Sequence, residues 1–115
     1  MKKAYYLSSC STCNRILQSI STDGMELQDI KKEPMTSAQL QQMANLAGSY
    51  EALFSRRAQK YKEMGLKEKV LTEQDYESLI LQHYTFLKRP VFILEDTIYV
   101  GNSKKVVEQV QKCLL

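Results

Sequence analysis

The residues best able to do chemistry are the two thiols of Cys10-Ser11-Thr12-Cys13. The thiolate is the nucleophilic form of cysteine, and a helix N-terminus favours it. Two intervening residues let the second sulfur reach the first without unwinding a helix. Cys10 therefore reads as a nucleophile and Cys13 as the thiol that resolves its adducts. Half of a zinc site and a pair of buried thiols are the alternatives. Structural zinc takes four ligands, and only His83 and Cys113 remain to supply more. They are far apart in sequence and fall on different expected elements. His83 lies at a helix end and reads as a capping or surface residue. Cys113 lies on an apolar helix stripe and reads as a small buried hydrophobe.

The elements around the thiols follow from periodicity. Ala4 to Leu7 is an apolar and aromatic run ending at serines, which predicts a strand. Ser11 or Thr12 can cap the helix that follows, with Ile16, Leu17 and Ile20 at helical spacing and Asp23-Gly24 as its stop. Met25 and Leu27 alternate with Glu26 and Gln28, as in a half-buried strand. Thr36 with Gln39 forms a capping box, and Gly48 closes that helix. Short helical pieces are expected over residues 50–54 and 58–64. Thr72 with Asp75 caps another helix, with Tyr76, Leu79 and Ile80 on its apolar face. Pro90 breaks helicity, and Val91 to Leu94 suits a strand buried on both faces. Glu95-Asp96 turns the chain into a hairpin partner over residues 97–100. Asn102 or Ser103 caps a last helix whose stripe is Val106, Val107, Val110, Cys113 and Leu114.

The order is βαβ, an all-helical middle, then ββα. It predicts an α/β fold of thioredoxin-like type: a mixed four-stranded sheet with a helical insertion, residues 36–82, within one domain spanning 1–115. Roughly 60 residues separate the second strand from Pro90, too many for a structureless loop. In such folds a cis proline opens the third strand and faces the Cys-x-x-Cys, which is the place expected for Pro90.

At 115 residues, 43% apolar and 25% charged, the chain reads as one globular domain, neither disordered nor low-complexity. A formal net charge of +3, spread over scattered pairs, gives no argument for direct nucleic-acid binding. No apolar run approaches the ~18 residues of a membrane helix, and the first apolar run ends at Ser8, too early for a secretory signal. An odd cysteine count without a signal peptide points to a reducing, cytoplasmic setting, where such a pair means redox or metal chemistry.

Three segments together resemble the arsenate reductase-like family: Cys10-Ser11-Thr12-Cys13-Asn14-Arg15, residues 53–61 containing Arg56-Arg57, and Arg89-Pro90-Val91-Phe92-Ile93. That family includes glutaredoxin-coupled arsenate reductases, Spx-type transcriptional regulators and small YffB-like proteins. The likeness runs the whole chain and implies a bacterial, cytoplasmic protein. It places Cys10 at the nucleophilic cysteine and Cys13 at the second cysteine of the Spx type. It places Arg89 at an oxyanion contact before the cis proline, and Arg57 at the arginine four residues before an aromatic, here Tyr61. Ser55 and Gly101 stand where the reductases carry two further anion-binding arginines, with Arg56 and Arg57 displaced from the first of them.

Two functions are compatible with this resemblance. One is a thiol–disulfide oxidoreductase with no tightly bound cofactor, reset by glutaredoxin, thioredoxin or glutathione. Glutathione could use the charges of Arg57 and Arg89. The other is a redox-gated, Spx-like regulator that docks on RNA polymerase. The Spx type runs longer at its C-terminus, which favours the first; arsenate itself is expected to be a poor substrate.

Overall fold

The computed structural model describes residues 1–114; Leu115, at the end of the expected last helix, lies outside the described residues. Two compact units emerge, Met35–Lys88 and the remainder of the chain on either side of it.

The first unit holds β1 (Lys2–Tyr6), α1 (Ser11–Gln18), β2 (Met25–Asp29), β3 (Val91–Leu94), β4 (Thr97–Val100) and α5 (Lys104–Cys113). Its sheet runs β2-β1-β3-β4. β1 and β2 are parallel, joined through α1 as a βαβ unit requires. The β1–β3 and β3–β4 pairs are antiparallel. Ala4 and Phe92 are cross-strand partners, and with Leu94 they face Ile16 of α1 and Val110 of α5. Leu17, Ile20, Met25, Tyr99, Val107 and Leu114 pack around that core. β3 is buried on both faces, as its continuous apolar run requires.

The opposite face carries Lys3 and Tyr5, paired with Ile93 and Val91. Lys3 is buried, with its ammonium 3.4 Å from Glu26 and 5.0 Å from the Tyr5 ring centre. The expected alternation in β2 fails at its centre: Leu27 is exposed and Gln28 is buried. β2 is an edge strand, whereas the helical layer centres on β1 and β3. Gln28 satisfies its amide by donating to the Glu33 carbonyl at 3.0 Å, which removes most of the cost of burial. The stripe on α5 is also narrower than its sequence suggests. Val110 is buried, but Cys113 is exposed and within 3.0 Å of the Tyr99 hydroxyl. β4 beneath it is itself an edge strand, half-exposed along its length.

The second unit holds α2 (Ser37–Ala47), α3 (Gln59–Glu63) and α4 (Glu73–Gln82), with 3-10 turns at Glu51–Leu53, Leu66–Glu68 and Tyr84–Phe86. Both capping boxes form, Thr36 with Gln39 and Thr72 with Asp75. Gly48 ends α2 at φ 100°, a left-handed conformation that costs glycine nothing. Phe54 stacks on Phe86 and tilts against Tyr76, both at 4.9 Å between ring centres. The Phe54–Leu87 bridge closes the loop, with Ser55 N–H donating to Phe86 and Lys88 N–H to Leu53. Among the described residues no helix is long and apolar enough to cross a membrane.

Ile16 docks α1 on the sheet, so Ile16→Ala should cost about 2–5 kcal/mol of unfolding free energy. Thr36→Ala, which removes only a cap, should cost about 1 kcal/mol. Urea denaturation of the two variants beside the parent checks both values and their order.

Candidate active site

Sequence alone suggests that Ser11 or Thr12 caps α1. The cap is instead Cys10, at φ −94° and ψ 110°. Its carbonyl accepts the first helical bond from Asn14 N–H at 3.1 Å, and its Sγ accepts from Cys13 N–H at 3.5 Å. The sulfur thus occupies the place of a serine or aspartate cap oxygen. Upstream, Cys10 N–H closes a turn on the Leu7 carbonyl at 2.9 Å. The Asn14 side chain donates to the Ser8 carbonyl at 2.8 Å, holding that turn against α1.

The two sulfurs have opposite environments. Cys10 is partly exposed, whereas Cys13 has no accessible surface. Partial burial works against a Cys10 thiolate. The Cys13 N–H, the Cys13 thiol, the Arg89 charge and the Thr12 N–H outweigh it, and the Cys10 pKa falls below the ordinary thiol range. Burial pushes Cys13 up to about 11, reinforced by its donation to Cys10 and by the Cys10 charge, against the Leu7 backbone and Arg89.

Arg89 is brought to this pair from the far side of the insertion, close enough for its charge to act on both sulfurs. The Arg89–Pro90 bond is cis, as expected at the entrance to β3. Pro90 is buried, and its carbonyl accepts from Gly101 N–H at 2.9 Å.

Arg56 and Arg57 belong to the second unit and lie in a turn. Arg56 is tied to Glu51 at 2.9 Å and to the Tyr76 hydroxyl at 3.0 Å, beside the Phe54 and Tyr76 rings. Arg57 is exposed. His83 caps the C-terminus of α4 and meets Phe86 edge-on at 5.8 Å between ring centres. Among the described residues no group of three or more histidine, cysteine, aspartate or glutamate side chains is placed to hold a metal ion. The tie between Asn14 and the Ser8 carbonyl has no signal in the sequence beyond a short amide side chain next to Cys13.

A parallel βαβ unit completed by an antiparallel hairpin and a helix, with a thiol pair at the first helix N-terminus, defines a thioredoxin-like protein. Within that class, residues 5–110 match the ArsC family, and the chain belongs to it. It is 25% identical over 92 residues to an arsenate reductase of Acidiphilium multivorum, a match covering 77% of this chain but only 65% of that protein. Against the YusI protein of Bacillus subtilis it is 24% identical over 110 residues, covering 91% of this chain and 93% of the other. The structure of an arsenate reductase from Vibrio cholerae superposes with a TM-score of 0.74 at 19% identity, covering 99% and 97% of the two chains.

The split between the thiols has a consequence for stability. Above the ordinary thiol pKa an unfolded Cys13 ionises while the folded one keeps its proton, so the folded state binds more protons and loses stability as pH rises. The reduced protein should therefore lose stability between about pH 9 and about 11. Cys13→Ala should remove that part of the decline. Thermal melts of both proteins across this range check it.

Proposed function

We propose that this ArsC-family chain is a thiol–disulfide oxidoreductase with Cys10 as nucleophile and Cys13 as resolving thiol. The observation that carries the reading is the asymmetry of the pair: one partly exposed sulfur at the helix cap, its pKa lowered, and one buried sulfur, its pKa raised.

The Cys10 thiolate attacks a sulfur of an oxidised substrate, the substrate S–S bond breaks, and the leaving thiolate takes a proton from solvent. Adduct formation removes the Cys10 charge, and with it one of the effects that hold the proton on Cys13. Cys13 then loses its proton and attacks Cys10 Sγ. This releases the second substrate thiol and leaves a Cys10–Cys13 disulfide. An external dithiol or two glutathione molecules supply the two electrons that reset it. Arg89 stabilises the thiolate stage by its charge. The Arg89 charge suits a carboxylate of glutathione. Arg56 serves the second unit through Glu51 and Tyr76.

Cys10→Ser should abolish reduction of a mixed glutathione disulfide, whereas Cys13→Ser should still form a Cys10 adduct and accumulate it, visible by mass spectrometry. An unchanged rate in Cys10→Ser overturns the reading. Co-purification with RNA polymerase, without turnover, favours the Spx-like regulator instead.

Arsenate turnover should be weak. Each missing charge-assisted contact costs roughly 1.5–3 kcal/mol, about 10- to 150-fold, and Ser55 and Gly101 stand at two such positions. Restoring an arginine at Gly101 carries its own penalty. Gly101 has φ 94°, where an L-residue is strained although nothing crowds its Cβ. Ser55→Arg should therefore raise arsenate reduction more than Gly101→Arg, read as initial rates with glutathione and glutaredoxin. Robust wild-type turnover that is lost in Cys10→Ser refutes the expectation.

A further inference from the structure

The loop that presents Cys10 is held from two sides at one residue, Ser8. From α1, the Asn14 amide donates to the Ser8 carbonyl at 2.8 Å. From the end of β2, Asp29 Oδ1 accepts from Ser8 N–H at 3.4 Å and from Lys31 N–H at 3.2 Å. Asp29 reaches this point because it is register partner to Tyr6, the last residue of β1, and the next rung is Ile30 N–H donating to the Tyr6 carbonyl at 2.9 Å. Asp29 is only 9% exposed, an expensive place for a carboxylate without donors. The Ser8 side chain holds its carboxyl below the usual range; burial opposes this, while the Lys31 and Ser8 N–H groups and the Lys32 charge assist. The anion is therefore present throughout the neutral range.

We propose that Asp29 and Asn14 are positioning residues for Cys10, clamping Ser8 so that the Leu7–Cys10 turn keeps Sγ in line with the Cys13 N–H. The proposal rests on Cys10 being the reactive thiol. Neither residue touches substrate; both act through the loop. The groups that act directly on Cys10 are Cys13, Thr12 and Arg89, and the clamp keeps the sulfur within their reach.

The sign of the effect separates a clamp from simple electrostatics. Deleting a negative charge near a thiol lowers its pKa. Loosening the loop removes N–H donation to the thiolate and raises it. The test is the pH dependence of iodoacetamide modification at Cys10, followed by peptide mass spectrometry on reduced protein. Asp29→Ala and Asn14→Ala should each raise the apparent Cys10 pKa, by up to about one unit, which means up to a tenfold smaller thiolate fraction near neutrality. Asp29→Asn, which keeps an oxygen acceptor and drops the charge, should restore the parental profile or fall slightly below it. Ser103→Ala, which removes the α5 cap in the same unit, should lower the melting temperature with the Cys10 profile unmoved. Parental profiles in folded Asp29→Ala and Asn14→Ala overturn the proposal, as does an upward shift in Asp29→Asn equal to that in Asp29→Ala. If Asp29→Ala does not fold, Asn14→Ala decides. Failure of the underlying reading looks different: the parent's Cys10 would show no depressed pKa, and Cys10→Ser would leave mixed-disulfide turnover intact.

Discussion

One weak hydrogen bond organises the chemistry of this chain: Cys13 N–H to Cys10 Sγ, at the first turn of α1. A neutral sulfur is a poor acceptor and the 3.5 Å separation is long, but a thiolate accepts far better because ionised partners strengthen hydrogen bonds. Capping the helix and favouring the thiolate form of Cys10 therefore go together. Whatever fixes α1 on the sheet also fixes the N–H donor that faces Cys10 Sγ. Ile16, packed in the unit's core against Ala4 and Phe92, supplies that fixation.

The second thiol owes its opposite character to the same helix. Cys13, Ile16, Leu17 and Ile20 stand at i, i+3, i+4 and i+7, the spacing of a single buried face. Cys13 is the first residue of that stripe, so docking the stripe removes its sulfur from water. Cys10 lies one turn earlier, at the cap, where the stripe has not begun. A Cys-x-x-Cys at the start of an amphipathic helix thus separates a partly exposed thiol from a buried one through helical geometry alone. Arg89 adds charge from outside the helix, because β3 runs antiparallel beside β1 and begins near the end of β1 that leads into the Cys10 loop.

The arginines of the second unit show how far neighbouring residues can diverge. Arg56 and Arg57 are adjacent, yet Arg56 is bound to Glu51, five residues back, and to Tyr76, twenty residues on. Its guanidinium completes the cluster of Phe54, Tyr76 and Phe86 that closes the unit. Arg57 has an exposed side chain. The family resemblance pointed to Arg57 by its distance from Tyr61, but the commitment of Arg56 depends on contacts that sequence spacing does not express.

Local rules were enough for the elements themselves. Both capping boxes, the glycine stop at Gly48, the double-faced burial of Val91 to Leu94 and the hairpin that follows are properties of short segments, and their residues specify them within a few positions. The order βαβ then ββα was legible for the same reason. What the tertiary structure decided is everything that depends on which strand lies at an edge and which side chain meets a distant one. Leu27 is exposed because β2 has a neighbour on one side only, and Cys113 because α5 rests above the β4 edge. Asp29 comes to the Cys10 loop because the β1–β2 register ends there. Alternation and helical stripes report which face of an element is apolar. They carry no information about whether another layer extends far enough to cover it, so those outcomes belong to the packed molecule.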